Sequence, residues 1–228
     1  MTAVLTPDTF RPVDVPLKFI PFCAVIIPDT FRPVVIPDTC RLVTPIPCAV
    51  ISLVAKSTKL NSPSILVAVR TPIGAYKGIF KDIKAHSLGS VVIKEVLKRS
   101  NISQDEIDEV IMGQVLTAGS GQNPARQAAV SANIPISKPA HIVNQVCGSG
   151  LRAVISGYQS IKLGEAKKII TGGQENMSMA PHSILFRYEK KISEDKLVDT
   201  MIYDGLIDAF NSYHMGVTAE NVAKKFNI

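Results

Sequence analysis

The sequence is poor in cysteine and lacks long apolar runs. Only four of its 228 residues are cysteines and no two form a CxxC pair, which argues against a zinc site and a disulfide framework. A reducing compartment is therefore expected. The longest apolar stretches, residues 20–27 and 46–55, are well short of the roughly 18 residues that a membrane span requires. We expect no membrane partner.

Targeting signals are not evident either. The first residues lack the basic start, the apolar stretch and the cleavage site of a secretory signal. They are too rich in proline and too poor in arginine for a mitochondrial presequence. The last residues, 225–228 (KFNI), are not a peroxisomal signal. We expect a cytoplasmic location, with mitochondria as the less favoured alternative.

Charge excludes one further class of partner. The net charge is +6, but the lysines and arginines are scattered, and no basic run is interleaved with aromatic residues. No nucleic-acid partner is therefore predicted. A modest positive charge suits an anionic ligand such as a phosphorylated cofactor.

The segment 1–60 differs from the rest of the chain. The sequence PDTFRPV at 7–13 recurs at 28–34 and, altered, at 37–43, and IPFCAVI at 20–26 is echoed by IPCAVI at 46–51. This stretch holds nine of the fifteen prolines, a density that opposes helix interiors and central strands. The repeat spacing is too irregular for a solenoid. We predict a disordered, proline-rich segment over residues 1–60; a translated repetitive element, a mispredicted exon and a binding tail are all open interpretations.

From residue 61 onward apolar strands alternate with amphipathic helices. Strands are predicted at 64–69, 109–115, 140–146 and 168–171. Predicted helical features are a helix capped by Ser87, a capping box at 103–106, a helix with Pro124 in its first turn, and a helix after Cys147 that ends at Gly164. This order predicts an α/β domain over 61–173, with a mostly parallel sheet covered by helices on both faces.

Two of these helices carry apolar stripes that predict which face is buried. The stripe of the first consists of Leu88, Val91, Val92 and Val96, and that of the helix after Cys147 consists of Leu151, Val154, Ile155, Tyr158 and Ile161. Residues 174–228 lose the alternation and are predicted to form a loop-rich region with short helices.

Cys147 lies at a predicted strand-to-helix junction. The positive end of the helix dipole favours a thiolate there. Gly148 and Gly150 leave room for a substrate to approach the backbone. A small buried cysteine in a tight turn is the alternative interpretation.

Five segments in order resemble one known family. They are RTPIG at 70–74, GQNPARQA at 121–128, NQVCGSGL at 144–151, GGQENMS at 172–178 and HMGVTAEN at 214–221. Through them the chain from residue 65 to residue 228 resembles the N-terminal part of thiolases of the cytosolic acetyl-CoA acetyltransferase type. The segment 1–60 has no recognised counterpart.

The resemblance implies a thiolase-like fold and a chemistry. Cys147 would be the nucleophile that forms an acyl-enzyme, with its backbone N–H donating to the oxyanion. The reaction implied is the condensation of two acetyl-CoA to acetoacetyl-CoA and the reverse thiolysis by CoA, with no bound cofactor and no metal. Residues 174–228 would be a partial CoA-binding loop domain, with Leu206, His214 and Met215 lining the CoA side. The family forms homodimers or homotetramers.

Other residues are given supporting roles. We expect Glu175 to anchor a loop by accepting backbone N–H bonds, and Asn144 has a weaker claim to a role in the site. Scaffolding near a subunit contact is implied for Gln122, Asn123 and Arg126. The other histidines, His86, His141 and His182, are interpreted as structural or surface residues.

Thiolases complete their site with a histidine of a Gly-His-Pro motif and a second cysteine of a Cys-x-Gly motif. Neither motif occurs in these 228 residues. We therefore expect the C-terminal half of the fold to be absent, the sheet to be incomplete, and this chain alone to be inactive. A non-catalytic chain that binds CoA weakly or pairs with a full-length subunit is the alternative; an unrelated cysteine hydrolase is a third. Acyl-chain length and the direction of the reaction stay open, with short chains favoured.

Overall fold

A computed structural model of the protein describes residues 49–56, 63–187 and 197–228. The other residues of the predicted 1–60 segment lie outside the described part of the chain. Within it, a five-stranded sheet is built from β1 (Ala49–Lys56), β2 (Pro63–Arg70), β3 (Glu109–Gly113), β4 (Ala140–Val143) and β5 (Lys168–Gln174).

The order of the strands across the sheet is β2-β1-β5-β3-β4. Strand β3 is parallel to both β4 and β5, and β1 is antiparallel to both β2 and β5. Four strands therefore share one direction and β1 alone runs against them. The mostly parallel α/β sheet predicted from the sequence is confirmed, with one strand that was not foreseen.

Strand β1 corrects the expectation of disorder for residues 49–56, the one described part of the segment 1–60. The sequence AVISLVAK lies in the segment predicted to be disordered, yet it pairs along its length with β2 on one side and β5 on the other. The prediction failed at these residues because all nine prolines of the segment lie before β1 begins. Residues 49–56 contain no proline and six of the eight are apolar, so they suit a strand in the middle of a covered sheet.

Three helices cover the sheet: α1 (Ala85–Ser100), α2 (Pro124–Ser131) and α3 (Ser149–Leu163). Because successive strand residues point to opposite faces, β3 and β5 each supply side chains to two separate cores. One core joins α1 and α2 to the sheet through Val92, Ile93, Val96, Val110, Met112 and Ile170, among others. The other joins α3 to the sheet through Ile111, Ala153, Ile161 and Ile169. The predicted helices on both faces are thus observed.

Helix α1 begins earlier than predicted. Its N-cap is Lys84, which makes no side-chain capping bond, so Ser87 lies inside the first turn and does not cap the helix. Leu88, Val92 and Val96 are buried as expected, but Val91 is 61% exposed. The helix ends where Asn101 takes a left-handed conformation and donates its backbone N–H to Leu97 and Lys98.

The predicted capping box is confirmed. Ser103 accepts from the backbone of Asp105 and Glu106 bonds back to the backbone of Ser103, opening a short 3₁₀ turn at Gln104–Glu106. Glu106 also pairs with Lys168 at the start of β5. The Lys168 hydrogen bond is the main reason that the pKa of Glu106 lies below its usual value. This turn therefore fixes the beginning of two neighbouring strands.

The buried face of α3 differs from the prediction. Ala153, Gly157 and Ile161 face the sheet, whereas Leu151, Ile155 and Tyr158 are exposed, Leu151 to 62%. The cause is close packing: a Cβ on Gly157 would lie 2.4 Å from Cγ2 of Thr171 in β5. A helix held this near to a strand needs small residues at the point of contact, so Leu151, Ile155 and Tyr158 point outward. Of the predicted stripe, Ile161 is buried and Val154 packs partly against the same core.

The described residues that follow β5, 175–187 and 197–228, form short elements, as predicted. They include a 3₁₀ turn (Met177–Met179), a small antiparallel pair of β6 (His182–Ser183) and β7 (Val198–Asp199), and helices α4 (Thr200–Gly205) and α5 (Met215–Phe226). Within the residues described, no helix has the length and apolar character needed to cross a membrane.

Candidate active site

Three parallel strands end side by side at one edge of the sheet. Gly113 of β3 pairs with Val143 of β4 and with Gly173 of β5, so the residues that follow them emerge together. In open parallel sheets this carboxyl edge is where ligands bind. Strands β3 and β4 stop two and three residues before the predicted positions, because the chain turns at this edge to build the site.

Cys147 lies at this edge, between β4 and α3. Its thiol is free and exposed, and it precedes Gly148, the N-cap of the 15-residue helix α3. The predicted strand-to-helix junction is therefore confirmed. The alternative, a small cysteine buried in a tight turn, is wrong because Cys147 is open to solvent.

Ser149 closes the turn that carries Cys147. Its hydroxyl accepts a hydrogen bond from the backbone N–H of Gln145 at 2.9 Å and donates one to the carbonyl of Val146 at 2.6 Å. Ser149 is only 4% exposed, while Gln145 and Val146 are exposed, so both bonds are partly buried. Asn144 Oδ1 accepts from the Val146 N–H at 3.0 Å, which gives Asn144 a role in shaping the turn.

Val146 is held in an unfavourable backbone conformation. Its φ is +48°, in the left-handed region that β-branched residues avoid. Such a residue costs about 1–3 kcal/mol and persists only where its surroundings impose it. The hydrogen bonds from Asn144 and Ser149 are those surroundings. The strained residue directly precedes the exposed thiol, and it fixes the direction in which Cys147 leaves the strand.

Two strand glycines let the beginning of α3 pack directly on the sheet. A Cβ on Gly113 would lie 2.4 Å from the carbonyl carbon of Ser149 and 2.5 Å from the nitrogen of Gly150, which no side chain can occupy. A Cβ on Gly173 would lie 3.3 Å from Cα of Gly150. The first turn of α3 is therefore pressed against β3 and β5, and Cys147 is positioned by backbone contacts.

Glu175 ties the neighbouring loop to the same edge. Its carboxylate accepts from the backbone N–H groups of Val115 at 2.8 Å and Leu116 at 3.4 Å, which is the loop-anchoring arrangement expected from the sequence. Burial raises the pKa of Glu175 above its usual value, against the opposing effect of these N–H donors and that of Asn176. A carboxyl group with a raised pKa at a sheet edge is also a feature of functional sites.

The three residues predicted to line the CoA side lie together. Leu206 is bonded through its carbonyl to the backbone N–H of Met215 at 2.8 Å, and His214 lies between them in the chain as the N-cap of α5. His214 is exposed, and its Nδ1 accepts from the N–H of Gly216 at 2.9 Å. A Cβ on Gly205 would lie 3.6 Å from Leu116, so this cluster adjoins the loop that Glu175 anchors. A contact with CoA stays a prediction for all three.

The residues assigned to scaffolding act within the chain. Asn123 caps α2 by accepting from the N–H of Arg126, and its amide donates to the carbonyl of Ala140 at the start of β4. The Arg126 guanidinium donates to the carbonyls of Ile136 and Lys138, and the carbonyl of Gln122 accepts from Gln127. These bonds hold the α2–β4 connection. A contribution to a subunit contact stays a prediction.

None of the other histidines takes part in a nucleophile pair within the described ranges. His141 lies 3.1 Å from Glu109 and His182 lies 3.9 Å from Asp199. Both ring nitrogens of the half-buried His86 lack a partner, and burial, with a smaller contribution from Lys84, lowers its pKa. In the part of the chain that the structure describes, no three His, Cys, Asp or Glu residues are grouped as a metal site would require.

Sequence reasoning missed the residues that position Cys147. Ser149 was visible in the Gly-Ser-Gly run, but its hydroxyl became informative only once the turn around it was known. Gly113 gave a weaker signal, a glycine near the end of an apolar strand, which indicates a close approach of another backbone. The strain at Val146 leaves no trace in the sequence.

Comparison with known proteins agrees with this geometry. Residues 64–228 match the family described as thiolase, N-terminal domain. The chain is 54% identical over 171 residues to an acetyl-CoA acetyltransferase of Rhizobium meliloti. The aligned region covers 74% of this chain and 44% of that protein. The chain is 51% identical over 164 residues to the cytosolic acetyl-CoA acetyltransferase of Rattus norvegicus, covering 72% and 41%. The chain thus spans less than half the length of these relatives. The resemblance carried by the five sequence segments is confirmed, and the chain belongs to the thiolase family.

Proposed function

We propose that this chain carries the nucleophile of a thiolase-type acyltransferase, which condenses two acetyl-CoA to acetoacetyl-CoA and catalyses the reverse thiolysis. The observation that carries the proposal is the exposed, free Cys147 at the beginning of α3, positioned at the carboxyl edge of three parallel strands. The names of the relatives support the choice of substrate, since both are acetyl-CoA acetyltransferases.

In the first half-reaction, the Cys147 thiolate attacks the thioester carbonyl of an acyl-CoA. A C–S bond forms to Cys147, the C–S bond to CoA breaks, and CoA leaves as a thiol after taking a proton. The thiolate is the nucleophilic form of a cysteine, and the exposed Sγ of Cys147 is open to an incoming thioester. The backbone N–H of Cys147 would donate to the oxyanion of the tetrahedral intermediate.

In the second half-reaction, a second acetyl-CoA loses an α-proton, which balances the proton taken up by the departing CoA, and its carbon attacks the acyl-enzyme. A C–C bond forms, the thioester to Cys147 breaks and acetoacetyl-CoA is released. Thiolysis is the reverse sequence. The CoA moiety would contact the cluster of Leu206, His214 and Met215, which adjoins the same edge through Gly205 and Leu116. CoA thioesters are substrates here, and no bound cofactor is proposed.

The 228-residue chain by itself is expected to turn over acetyl-CoA negligibly. It contains neither a Gly-His-Pro nor a Cys-x-Gly segment, so the acid and base groups implied by the resemblance are not among its residues. Acid–base catalysis alone contributes about 10²–10⁴-fold. The second candidate function is therefore a non-catalytic chain that binds CoA weakly or pairs with a full-length subunit. Homodimers or homotetramers, and a cytoplasmic location, are proposed on the family resemblance and on the "cytosolic" name of the rat relative.

Two measurements test the proposal. Brief iodoacetamide treatment followed by peptide mass spectrometry should label Cys147 faster than Cys23, Cys40 or Cys48. In a separate sample of unmodified chain, acetyl-CoA should slowly acetylate Cys147 once, without further turnover. Cys147→Ser should abolish this acetylation. Equal labelling of all four cysteines would contradict an organised nucleophile. Thiolysis at the rate of an intact thiolase would contradict the predicted inactivity.

A further inference from the structure

Strand β1 occupies the centre of the sheet but comes from outside the part of the chain that matches the family. The match begins at residue 64, and β1 ends at Lys56. On either side of β1 lie β2 and β5, both inside the matched region except for Pro63. Residues 64–228 therefore leave a gap one strand wide between β2 and β5, and a segment upstream of the match fills it.

The pairing in this gap is extensive on both sides. Val50 through Lys56 pair in sequence with β2, from Arg70 back to Pro63, with one irregularity between Leu53 and Val54. Ala49 through Ala55 pair with β5, from Gln174 back to Lys168. A strand so placed satisfies backbone donors and acceptors on the facing edges of β2 and β5, which would otherwise have no strand partner there.

Strand β2 depends on β1 for its place in the sheet. Within the described residues, β1 is the one strand paired with β2, and β5 is otherwise paired only with β3. Helices α1 and α3 both contact β1, one on each face. The gap is therefore a covered slot with two hydrogen-bonding walls, which is the geometry by which sheets accept an added strand.

We propose that the gap between β2 and β5 is a strand-accepting site, and that its occupant in this chain is the segment 49–56, bound in cis and replaceable by a peptide of the same sequence. The chemistry it recognises is an extended, apolar, proline-free segment running antiparallel to both walls. Main-chain bonds provide the affinity, and the covered faces select against charge and proline.

The chain itself contains a matched non-binder. Residues 24–31 (AVIIPDTF) share their first three residues with 49–56 (AVISLVAK), but Pro28 stands where Leu53 stands in the occupant. Proline lacks the N–H that a central strand must donate to one of its neighbours. A peptide of residues 24–31 is therefore predicted not to bind in the gap that residues 49–56 occupy.

The first test uses hydrogen exchange of the full chain. Leu53→Pro should lower protection of the amides of β2 by roughly 100-fold while those of β3 and β4 keep theirs, because β1 then fails to bridge β2 and β5. Leu53→Val, which keeps the N–H, should behave as the unmodified chain. A synthetic peptide of residues 49–56 should restore protection in Leu53→Pro, and a peptide of residues 24–31 should not. Unchanged protection of β2 in Leu53→Pro, or equal rescue by the two peptides, would overturn the proposal.

A second test holds even if Leu53→Pro unfolds the whole chain. Ser52 is the register partner of Ala68, whereas Lys56 pairs with Pro63. In a background with all four cysteines changed to serine, Ser52→Cys with Ala68→Cys should form an intramolecular disulfide under mild oxidation, and Lys56→Cys with Ala68→Cys should not. Linked peptides from the monomer support the cis occupant. A link found only in dimers would show that a second copy fills the slot, and no link would show that the slot is not filled by 49–56; either result overturns the proposal.

Discussion

The sheet edge around Cys147 combines local bonds with contacts between distant parts of the chain, whereas most side-chain hydrogen bonds of residues 197–228 join close neighbours. Ser149 packs on Gly113, and Glu175 reaches back to Val115. In the second region His214 bonds to Gly216, and Asp199 bonds to Met201. The distant contacts of the first region exist only when the whole sheet is formed. The local bonds of the second region can form within a short stretch of chain.

Burial follows the same division. Ser149 is almost inaccessible to solvent, whereas no residue of α5 is buried and Phe210 is 92% exposed. This difference would suit the two proposed tasks, since reacting atoms require fixed geometry and a large flexible ligand tolerates adjustment. Substitutions of similar chemistry in the two regions should therefore have very different effects.

The largest difference is expected between two glycine substitutions. Gly113→Ala should lower the free energy of unfolding by about 3 kcal/mol or more, because its Cβ would overlap the backbone of α3. Gly205→Ala, at the end of α4, meets only Leu116 at 3.6 Å and should be neutral or stabilising by up to about 1 kcal/mol. Urea unfolding of both variants checks this. Similar losses in the two would remove the distinction between the regions.

Loss of the Ser149 hydroxyl should have the next largest effect. Ser149→Ala removes the acceptor of the partly buried Gln145 N–H and should cost about 0.5–1.5 kcal/mol. Ser160→Ala is the matched control in α3, since its hydroxyl only donates to the carbonyl of Ser156 and should cost about 0.5 kcal/mol or less. The alkylation rate of Cys147 should change in the first variant only. An unchanged alkylation rate in Ser149→Ala would show that the hydrogen bonds of the Ser149 hydroxyl do not position the thiol.

The pH dependence of stability tests the buried carboxyl group. The pKa of Glu175 is raised above 4.5 in the folded chain. Between pH 4.5 and the folded pKa, the folded state therefore holds a proton that the unfolded state has released. Stability should therefore be fully present below pH 4.5 and fall as pH rises towards the folded pKa, by about 1.4 kcal/mol for each pH unit across the gap. Glu175→Gln, which resembles the protonated form, should remove this fall.

Glu95→Gln gives the opposite control. Its hydrogen bond with Arg99 lowers the pKa of Glu95, so its contribution is present above pH 4.5 and is lost as pH falls. Denaturation of both variants between pH 4 and pH 8 distinguishes them. A wild-type curve that runs parallel to that of Glu175→Gln throughout would contradict the raised pKa.

The smallest effect is expected at His214. His214→Ala removes a single N-cap bond to an exposed helix and should cost about 0.5–1 kcal/mol. If His214 also contacts CoA, the affinity for CoA measured by calorimetry should fall in this variant and not in His182→Ala, whose imidazole lies 3.9 Å from Asp199 and is exposed. A loss of stability several times larger than that of a single cap would show that α5 is held by more than local bonds.

Much of the fold was predictable because its signals are local. Apolar strands, the Ser103 capping box, Pro124 at the start of α2 and Gly164 at the end of α3 all act within a few residues, and all are observed. Periodicity failed where packing was decided by distance from the sheet. Leu151 and Tyr158 lie on an apolar stripe, but the small residues Gly157 and Ala153 take the inner face of α3.

The site shows the same limit. The position of Cys147 followed from its neighbours in sequence, whereas two residues that fix it, Gly113 and Gly173, act through contacts with α3 that only the folded sheet creates. Strand β1 was missed for the opposite reason. Its own eight residues favour a strand, but the proline-rich composition around them outweighed that local signal.

The pairing of β1 and β2 has a consequence for the order of folding. The two strands are antiparallel and separated by only six residues, so they can associate as a hairpin before the rest of the sheet exists. The union of β1 with β5 closes a far longer loop, since Val50 meets Gly173, and such contacts form late. The sheet is then completed when a preformed hairpin docks on the edge of β5. Until the hairpin docks, β5 is an edge strand with unpaired backbone groups. During synthesis, two nascent chains would pair most readily along this edge.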